Sequence, residues 1–186
     1  MTTCVAYVYI SDMRNPAKTI TLEKLNQLFT LADGQLTWKR TSRNKVVQAG
    51  DPAGRVHNKG YAIVLIDRKP YAVHRIVYQM HHQLEVLPAE VLIDHINGDR
   101  ADNRVENIRV CTHGQNMQNK TKHRNNRLGE KNIHFSRISH RYCVTVKGNG
   151  IKATRSFPGT EEGFELAKQF RDRMLLEVHG EFANLD

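Results

Sequence analysis

Hydrophobic residues recur at helical spacing in several segments of this chain, and the segments between them carry shorter runs typical of strands. Thr21 and Thr112 each precede such a segment and are predicted N-caps, since a threonine hydroxyl can accept a hydrogen bond from a free amide of the first turn. The first helix has an apolar face that ends at Phe29. The pattern predicts helices over residues 21–29, 74–83, 113–122 and 160–178.

Short apolar or alternating runs, separated by glycine and asparagine turns, predict the strands. They cover residues 36–38, 54–56, 61–66, 71–73, 92–96 and 108–111, with further short strands inside residues 129–155. Gly148-Asn149-Gly150 is a hairpin turn signal within that last segment. Alternation there predicts that Tyr142, Val144 and Val146 face a helix, while Arg141, Thr145 and Lys147 face away from it. The mixture of elements predicts the α+β fold class.

The composition predicts a soluble, cytoplasmic protein of one ordinary domain or two small ones. The chain has 186 residues, is 39% hydrophobic, and contains no run of about 20 apolar residues that could span a membrane. The N-terminal segment lacks the basic start of a signal peptide, and residues 1–18 suggest no function. Three cysteines without a CxxC pair argue against a disulfide framework and a cysteine-built zinc site.

The net charge of +9 arises in about a fifth of the chain. Residues 120–155 carry ten basic side chains and one acidic one, whereas the remaining residues are balanced. Such a block is typical of proteins that bind a polyphosphate, because neutralised phosphates release counterions. A merely solubilising surface is the alternative, and a membrane surface is disfavoured because the block has no apolar helical stripe.

Asp94 and His95 end a predicted strand, and Asn107 and Asn116 follow at intervals of twelve and nine residues. Aspartate and asparagine oxygens suit a hard divalent cation such as Mg²⁺ or Mn²⁺. A neutral histidine can accept a proton from water near pH 7. An Asp-His pair alone is more often a turn or capping pair than a catalytic site, but one metal and one histidine base are sufficient to hydrolyse a phosphodiester.

The longer segment strengthens the catalytic interpretation. VLIDHINGDRADNRVENIRVCTHGQNMQN closely resembles the HNH nuclease motif, a ββα-metal core of two strands and a helix. Upstream, Tyr71-Ala72-Val73-His74-Arg75 before a helix is similar to the phage and homing-type members of that family. The resemblance covers roughly residues 30–125, with the core at about 90–122.

The resemblance implies roles for individual residues. His95 is the implied general base, Asp94 and Asn116 the implied ligands of one Mg²⁺ or Mn²⁺ ion, and Asn107, helped by Asn103, the implied brace of the loop near His95. The family often has histidine where this chain has Asn116, and this departure favours Mg²⁺ or Mn²⁺ over zinc. Four further residues have two alternative roles, as phosphate contacts or as structural groups: His74, Arg104, Arg109 and His113. The two arginines are expected to stabilise phosphate charge or to pair with Glu106 or Asp99.

The C-terminal third resembles the APETALA2-type DNA-binding domain, a three-stranded antiparallel sheet packed on one helix. The similarity runs from Asn132 to Phe157 and continues into the helix that starts near Thr160, with Tyr142 at the position of the family's usual tryptophan. It implies that one face of the sheet lies in the DNA major groove. The basic residues expected to contact DNA are Lys120, Lys122, Arg124, Arg137, Arg141, Lys147 and Lys152.

Together these observations predict a nuclease domain over residues 1–125, with a small N-terminal strand-rich region, and a DNA-binding domain over residues 126–186. The predicted function is metal-dependent hydrolysis of double-stranded DNA by a phage-encoded, homing-type enzyme in the host cytoplasm. A monomer is expected to nick and a homodimer to cut both strands. The alternatives are a catalytically idle, sequence-specific DNA-binding protein and a restriction or host-takeover nuclease with the same chemistry.

Overall fold

The computed structural model describes residues 19–43, 46–120, 126 and 128–185, which form two compact units divided between Val91 and Leu92. The first unit contains the strand-rich N-terminal region. The second contains both the Asp94–His95 segment and the C-terminal sheet. This division lies before the predicted domain boundary at residue 125. The predicted boundary separates two functional domains and stays a prediction.

Helices and small antiparallel sheets alternate along the first unit. The helix α1 begins where Thr21 accepts a hydrogen bond from the Lys24 amide (3.3 Å), as its N-cap position predicts. β1 and β2 form a hairpin whose turn, Asp33-Gly34, has positive φ at both residues. The elements are α1 (Leu22–Leu28), β1 (Phe29–Ala32), β2 (Gln35–Trp38), β3 (Arg55–Val56), β4 (Ala62–Ile66), β5 (Lys69–Ala72) and α2 (Val73–His81).

The helix α2 packs its apolar side into the core of this unit. Ile76 and Val77 are almost completely buried, as are Leu25 of α1 and Phe29 of β1. Arg75 donates hydrogen bonds to the carbonyls of Pro88 (2.6 Å) and Val91, which ties α2 to the segment that follows it. Burial lowers the pKa of the Arg75 guanidinium, and the charge of Glu90 opposes this effect.

The second unit begins with two strands and a helix. β6 pairs with β7 in antiparallel register, Leu92 opposite Cys111 and His95 opposite Ile108, and a short 3-10 helix, Val105–Asn107, precedes β7. Thr112 caps α3 in a reciprocal capping box with Gln115. The elements are β6 (Leu92–His95), β7 (Ile108–Cys111) and α3 (His113–Gln118).

A three-stranded antiparallel sheet and a long helix complete the second unit. The strand order is β10-β9-β8, and the turn Asn149-Gly150 joins β9 to β10 with positive φ at both residues. Thr160 caps α4, whose first turn contains two glutamates that complement the helix dipole. The elements are β8 (Ile133–Ser136), β9 (Arg141–Gly148), β10 (Ile151–Pro158) and α4 (Glu161–His179), followed by a 3-10 helix, Gly180–Phe182.

The predicted alternation along β9 is confirmed. Val144 and Val146 are completely buried and Tyr142 packs against the same core, whereas Arg141 and Lys147 on the other face are exposed. The mixed helix and strand composition of the prediction is also confirmed.

Two predicted boundaries are wrong. Phe29 belongs to β1 rather than to α1, because the hairpin pairs it with Trp38 and its ring lies 4.7 Å from the Trp38 ring. The helix α3 ends at Gln118 rather than near residue 122. Lys131 donates hydrogen bonds to the carbonyl of Gln118 (2.8 Å), the last helical residue, and to the carbonyl of Lys120. Among the described residues, no helix is long and apolar enough to cross a bilayer.

Candidate active site

Asp94 and His95 are the last residues of β6, and both are buried, with 7% and 4% of their surface exposed. A carboxylate and an imidazole are buried in proteins only when hydrogen bonds or ion pairs compensate for lost hydration. The partners of these two side chains therefore define the site.

Asn107 holds the loop that connects the two strands. Its Oδ1 accepts a hydrogen bond from the Asn97 amide (3.0 Å), and its Nδ2 donates to the Asp102 carbonyl (2.7 Å). Its own carbonyl accepts from the Ile96 amide (2.8 Å), directly after His95. Asn107 thus fixes the backbone on the C-terminal side of His95 from a buried position.

Asn103 orients the His95 ring. The Asn103 Nδ2 donates to the Ala101 carbonyl (3.2 Å), which directs Oδ1 toward His95 Nε2 at 3.2 Å. An amide oxygen can only accept, so the neutral ring carries its hydrogen on Nε2 and has its basic lone pair on Nδ1. Asn103 therefore favours the tautomer with the hydrogen on Nε2.

Asn119 and Arg109 hold the Asp94 carboxylate. Asn119 Nδ2 donates to Asp94 Oδ2 (2.8 Å) and to the His95 carbonyl (2.8 Å). Arg109, opposite Asp94 in the register of β6 and β7, reaches the same Oδ2 with Nη2 (3.2 Å) and Nε (3.4 Å). Both partners use one oxygen, and within the described residues Asp94 Oδ1 accepts no hydrogen bond.

Asn119 is a site residue that the sequence analysis missed. It is buried at the C-cap of α3, three residues after Asn116. The sequence contained a signal, because Gln-Asn occurs twice in this segment, at residues 115–116 and again at 118–119. Helix geometry places positions three apart on the same side, so either asparagine is compatible with the spacing.

Asn116 itself is half-buried on α3, and within the described part of the chain it makes no hydrogen bond to Asp94. The predicted pairing of Asp94 and Asn116 around a metal ion stays a prediction.

The two arginines of the motif have partners other than the predicted Glu106 and Asp99. Arg104 forms a two-pronged ion pair with Asp102, with Nε–Oδ1 at 2.9 Å and Nη2–Oδ2 at 2.8 Å. This contact holds the pKa of Asp102 well below its usual value. Arg109 pairs with Asp94 instead, because the strand register places them opposite each other.

The remaining histidines of the prediction lie in different surroundings. His74 is buried in α2, with its ring 5.5 Å from the Tyr61 ring. His113 is the exposed first residue of α3.

The predicted DNA contacts divide into two sets. Arg141, Lys147 and Lys152 are exposed on the outer face of the β8–β10 sheet, where Lys147 and Lys152 are directly opposite each other, and Arg137 lies in the turn before β9. Threonines accompany them, with Thr145 and Thr154 hydroxyls 3.5 Å apart. Lys120 is exposed after α3, and Lys122 and Arg124 lie outside the described residues.

The donor chemistry of the site fits Mg²⁺ or Mn²⁺. Among the described residues, no group of three or more His, Cys, Asp and Glu side chains is placed to enclose a cation. Mg²⁺ needs no such cage, because it retains waters and binds through one or two carboxylates together with substrate phosphates. Within the described residues one oxygen of the Asp94 carboxylate has no protein donor, while the Asn119 amide and the Arg109 guanidinium hold the other.

The charge of Asp94 also influences its neighbours. Burial, and secondarily the Asp94 carboxylate, raise the pKa of the Cys111 thiol to about 11, while Arg109 opposes the shift. Cys111 is a buried free cysteine at the end of β7.

Comparisons with known proteins found similarity to HNH endonucleases. Residues 71–118 match the family model for HNH endonucleases. An uncharacterised HNH endonuclease of Acanthamoeba polyphaga mimivirus is 31% identical over 111 residues, which are 60% of this chain and 54% of that protein. The chain thus spans about half the length of this curated relative.

A solved structure of the HNH homing endonuclease I-HmuI, described for DNA binding and cleavage, is similar at a TM-score of 0.40 and 16% identity. The similarity covers 87% of this chain and 90% of that one. The family match includes the residues of the site described above, from Asp94 to Arg109. Residues 71–118 therefore match the HNH endonuclease family model, and the chain is similar to a viral HNH endonuclease over 111 residues.

Proposed function

We propose that this protein is a metal-dependent endonuclease that hydrolyses phosphodiester bonds in double-stranded DNA. The observation that carries the proposal is the burial of Asp94 and His95 side by side, each held by its own hydrogen-bond partners. Burial of a charged and a basic side chain is costly, and a structural turn does not require it. The HNH family match supports the same chemistry.

In this proposal His95 is the general base. Its Nδ1 accepts a proton from the attacking water, and Asn103 stabilises the resulting imidazolium because its amide oxygen accepts from Nε2–H. Asn107 holds the adjacent loop, so the ring has little freedom to turn away. The hydroxide attacks the phosphorus, the bond to the 3′ oxygen breaks, and the released 3′ oxygen takes a proton from solvent water, which leaves a 5′-phosphate and a 3′-hydroxyl.

Asp94 would hold the divalent ion through its carboxylate, with Asn116 as the predicted second oxygen donor. A bound Mg²⁺ or Mn²⁺ ion would supply electrostatic stabilisation of charge on the phosphate and the leaving oxygen. Asn119 and Arg109 fix the direction of the carboxylate by holding Oδ2.

The outer face of the β8–β10 sheet is the proposed DNA-binding surface. Arg141, Lys147 and Lys152 give it a positive charge, and the nearby threonine hydroxyls can hydrogen-bond base edges or phosphates. The APETALA2-like character of this region is part of the proposal, as are the homing-type and phage-encoded setting and the nicking or dimeric mode of cutting.

Incubation of the full-length protein with supercoiled plasmid and Mg²⁺ tests the proposal. We expect conversion to nicked or linear DNA that EDTA abolishes and that His95→Ala reduces by about a thousandfold, the middle of the range for general-base removal. His81→Ala is the matched control, since this histidine is exposed at the end of α2, and it should cleave like the wild type. The ratio of nicked to linear product reports whether one or two strands are cut in an encounter.

DNA binding without cleavage, under all metals tested, would instead support the idle DNA-binding protein. Cleavage that persists unchanged in His95→Ala would refute the mechanism while leaving the enzyme class intact.

A further inference from the structure

The tail that follows α4, residues 180–185, contacts the site residues that hold Asp94. The helix ends at Gly180, whose φ of 57° turns the chain, and a 3-10 helix leads to Phe182, of which only 4% is exposed. Burial of a terminal aromatic residue fixes this tail in place. The site residues that this tail contacts are Arg109 and Asn119.

Arg109 is held by the tail from two directions. Its Nη1 donates to the Glu181 carbonyl (2.6 Å), and its guanidinium lies 3.7 Å from the centre of the Phe182 ring. An arginine over an aromatic face in a partly desolvated position is attracted to the ring electrostatically. The same guanidinium contacts Asp94 Oδ2 through Nη2 and Nε.

Asn119, the second partner of Asp94, is also tied to the tail. Asn184 Nδ2 donates to the Asn119 carbonyl (2.8 Å), and Asn119 Nδ2 donates to Asp94 Oδ2 (2.8 Å). Each group that holds Asp94 Oδ2 is thus itself held by the C-terminal tail.

This arrangement disfavours an ion pair in which Arg109 occupies both oxygens of Asp94. Arginine facing a carboxylate favours two parallel hydrogen bonds that occupy both oxygens. Here the Glu181 carbonyl engages Nη1, and the remaining donors of Arg109 converge on Oδ2 alone. Asp94 Oδ1 is left without a protein donor within the described residues.

We propose that Phe182 and Asn184 are positioning residues of the nuclease site. They restrain Arg109 and Asn119 on one oxygen of Asp94, so that the other oxygen is available to the divalent cation. The inference rests on the proposed function, and it makes the nuclease site dependent on residues 60 or more positions beyond the HNH segment.

Mn²⁺ affinity, measured by electron paramagnetic resonance on the full-length protein without DNA, tests the inference. Phe182→Leu retains apolar volume but removes the aromatic face, and we expect it to weaken Mn²⁺ binding about fivefold, a typical consequence of losing a cation–π contact. Asn184→Ala should weaken it about threefold, as for loss of one hydrogen bond. Leu185→Ala, an exposed neighbour in the same tail, is the control and should bind like the wild type.

Two further readouts separate positioning from general destabilisation. In metal-free protein, the side-chain amide NMR signal of Asn119 should shift in Phe182→Leu and in Asn184→Ala, but not in Leu185→Ala. In an Arg109→Gln background, Phe182→Leu should no longer change Mn²⁺ affinity, because the residue through which it acts is gone. In cleavage, the half-saturating metal concentration should rise while the rate at saturating metal is nearly retained.

The failure of this inference is distinguishable from that of the proposed function. If the wild type binds Mn²⁺ no better than Asp94→Asn, the metal site itself is wrong. If the wild type binds through Asp94 but Phe182→Leu and Asn184→Ala match it, the tail has no positioning role. Should Phe182→Leu lower the melting temperature so far that it is unfolded at the assay temperature, Asn184→Ala decides the question.

Discussion

Residues 92–119, which contain β6, β7 and α3, bury mainly polar side chains, whereas the β8–β10 sheet with α4 buries mainly apolar ones. In the first region Asp94, His95, Asn107 and Asn119 are all buried, and α3 itself buries no residue. The core of the second region is a continuous cluster of apolar residues, and it consists of Ile133, Val144, Val146, Phe157, Ala167, Leu175 and Val178.

The comparison indicates that the two regions of this unit have different roles. One contributes folding free energy, and the other fixes the geometry of the candidate site. Apolar burial is non-directional and contributes much of the folding free energy, so it tolerates small shifts of the packed groups. Hydrogen bonds contribute less net energy but specify direction, and a missing partner leaves a buried polar group unsatisfied. We therefore expect substitutions in the first region to change mainly the proposed activity, and substitutions in the sheet-and-helix region to change mainly the stability.

Leu175→Ala should give the largest change in stability. Leu175 is completely buried between α4 and the sheet, and its truncation leaves a cavity that costs about 3 kcal/mol of unfolding free energy. Urea denaturation measures the loss, and at temperatures where the variant is folded its cleavage rate should equal that of the wild type. Leu176→Ala, on the exposed side of the same helix, should change stability by less than about 0.5 kcal/mol. Equal losses in the two variants would contradict the assignment of the core.

Asn107→Ala should lower the cleavage rate as well as the stability. It removes an acceptor from the Asn97 amide and a donor from the Asp102 carbonyl, so we expect an unfolding free energy lower by about 2 kcal/mol and a cleavage rate lower by more than tenfold. Asn107→Asp retains the acceptor and should be affected less in rate. Asn58→Ala, in an exposed turn of the first unit, is the control. A rate unchanged in Asn107→Ala would show that the loop needs no brace.

The double variant Lys147→Ala/Lys152→Ala should give the smallest effect of the three. This effect should be confined to DNA affinity. Removal of two phosphate contacts should reduce the slope of log affinity against log salt by about 2 and leave the rate at saturating DNA unchanged. Fluorescence anisotropy at several salt concentrations measures the slope. Lys168→Ala, a lysine of α4 paired with Glu165, should leave it unchanged. An unchanged slope in the double variant would move the DNA-binding surface away from this sheet face.

Much of the local structure follows from the sequence. The threonine caps of α1, α3 and α4 and the alternation along β9 are local properties, and each is present in the structure. Phe29 was assigned incorrectly because it satisfies both the helical period of α1 and the pairing of a hairpin. Only the contact with Trp38 decides between them.

The site was predictable in its residue types but not in its contacts. Asp94 and His95 stand out as polar residues at the end of an apolar strand, but Arg109 meets Asp94 only because a long loop sets the register of β6 and β7. The sequence does not distinguish Asn119 from Asn116, because the two residues have the same side chain and lie about one helical turn apart. The contacts of Glu181, Phe182 and Asn184 join residues about 65 or more positions apart in the chain, and no local pattern encodes them.

Chemical rescue of His95→Ala is the most direct test of the central claim. The substitution removes the buried ring next to Asp94, and imidazole in solution can replace it as the base. We predict that His95→Ala relaxes supercoiled plasmid very slowly with Mg²⁺, and that added imidazole increases its rate severalfold without accelerating the wild type. A variant that cleaves at the wild-type rate without imidazole would contradict the account, because His95 would then not be the base.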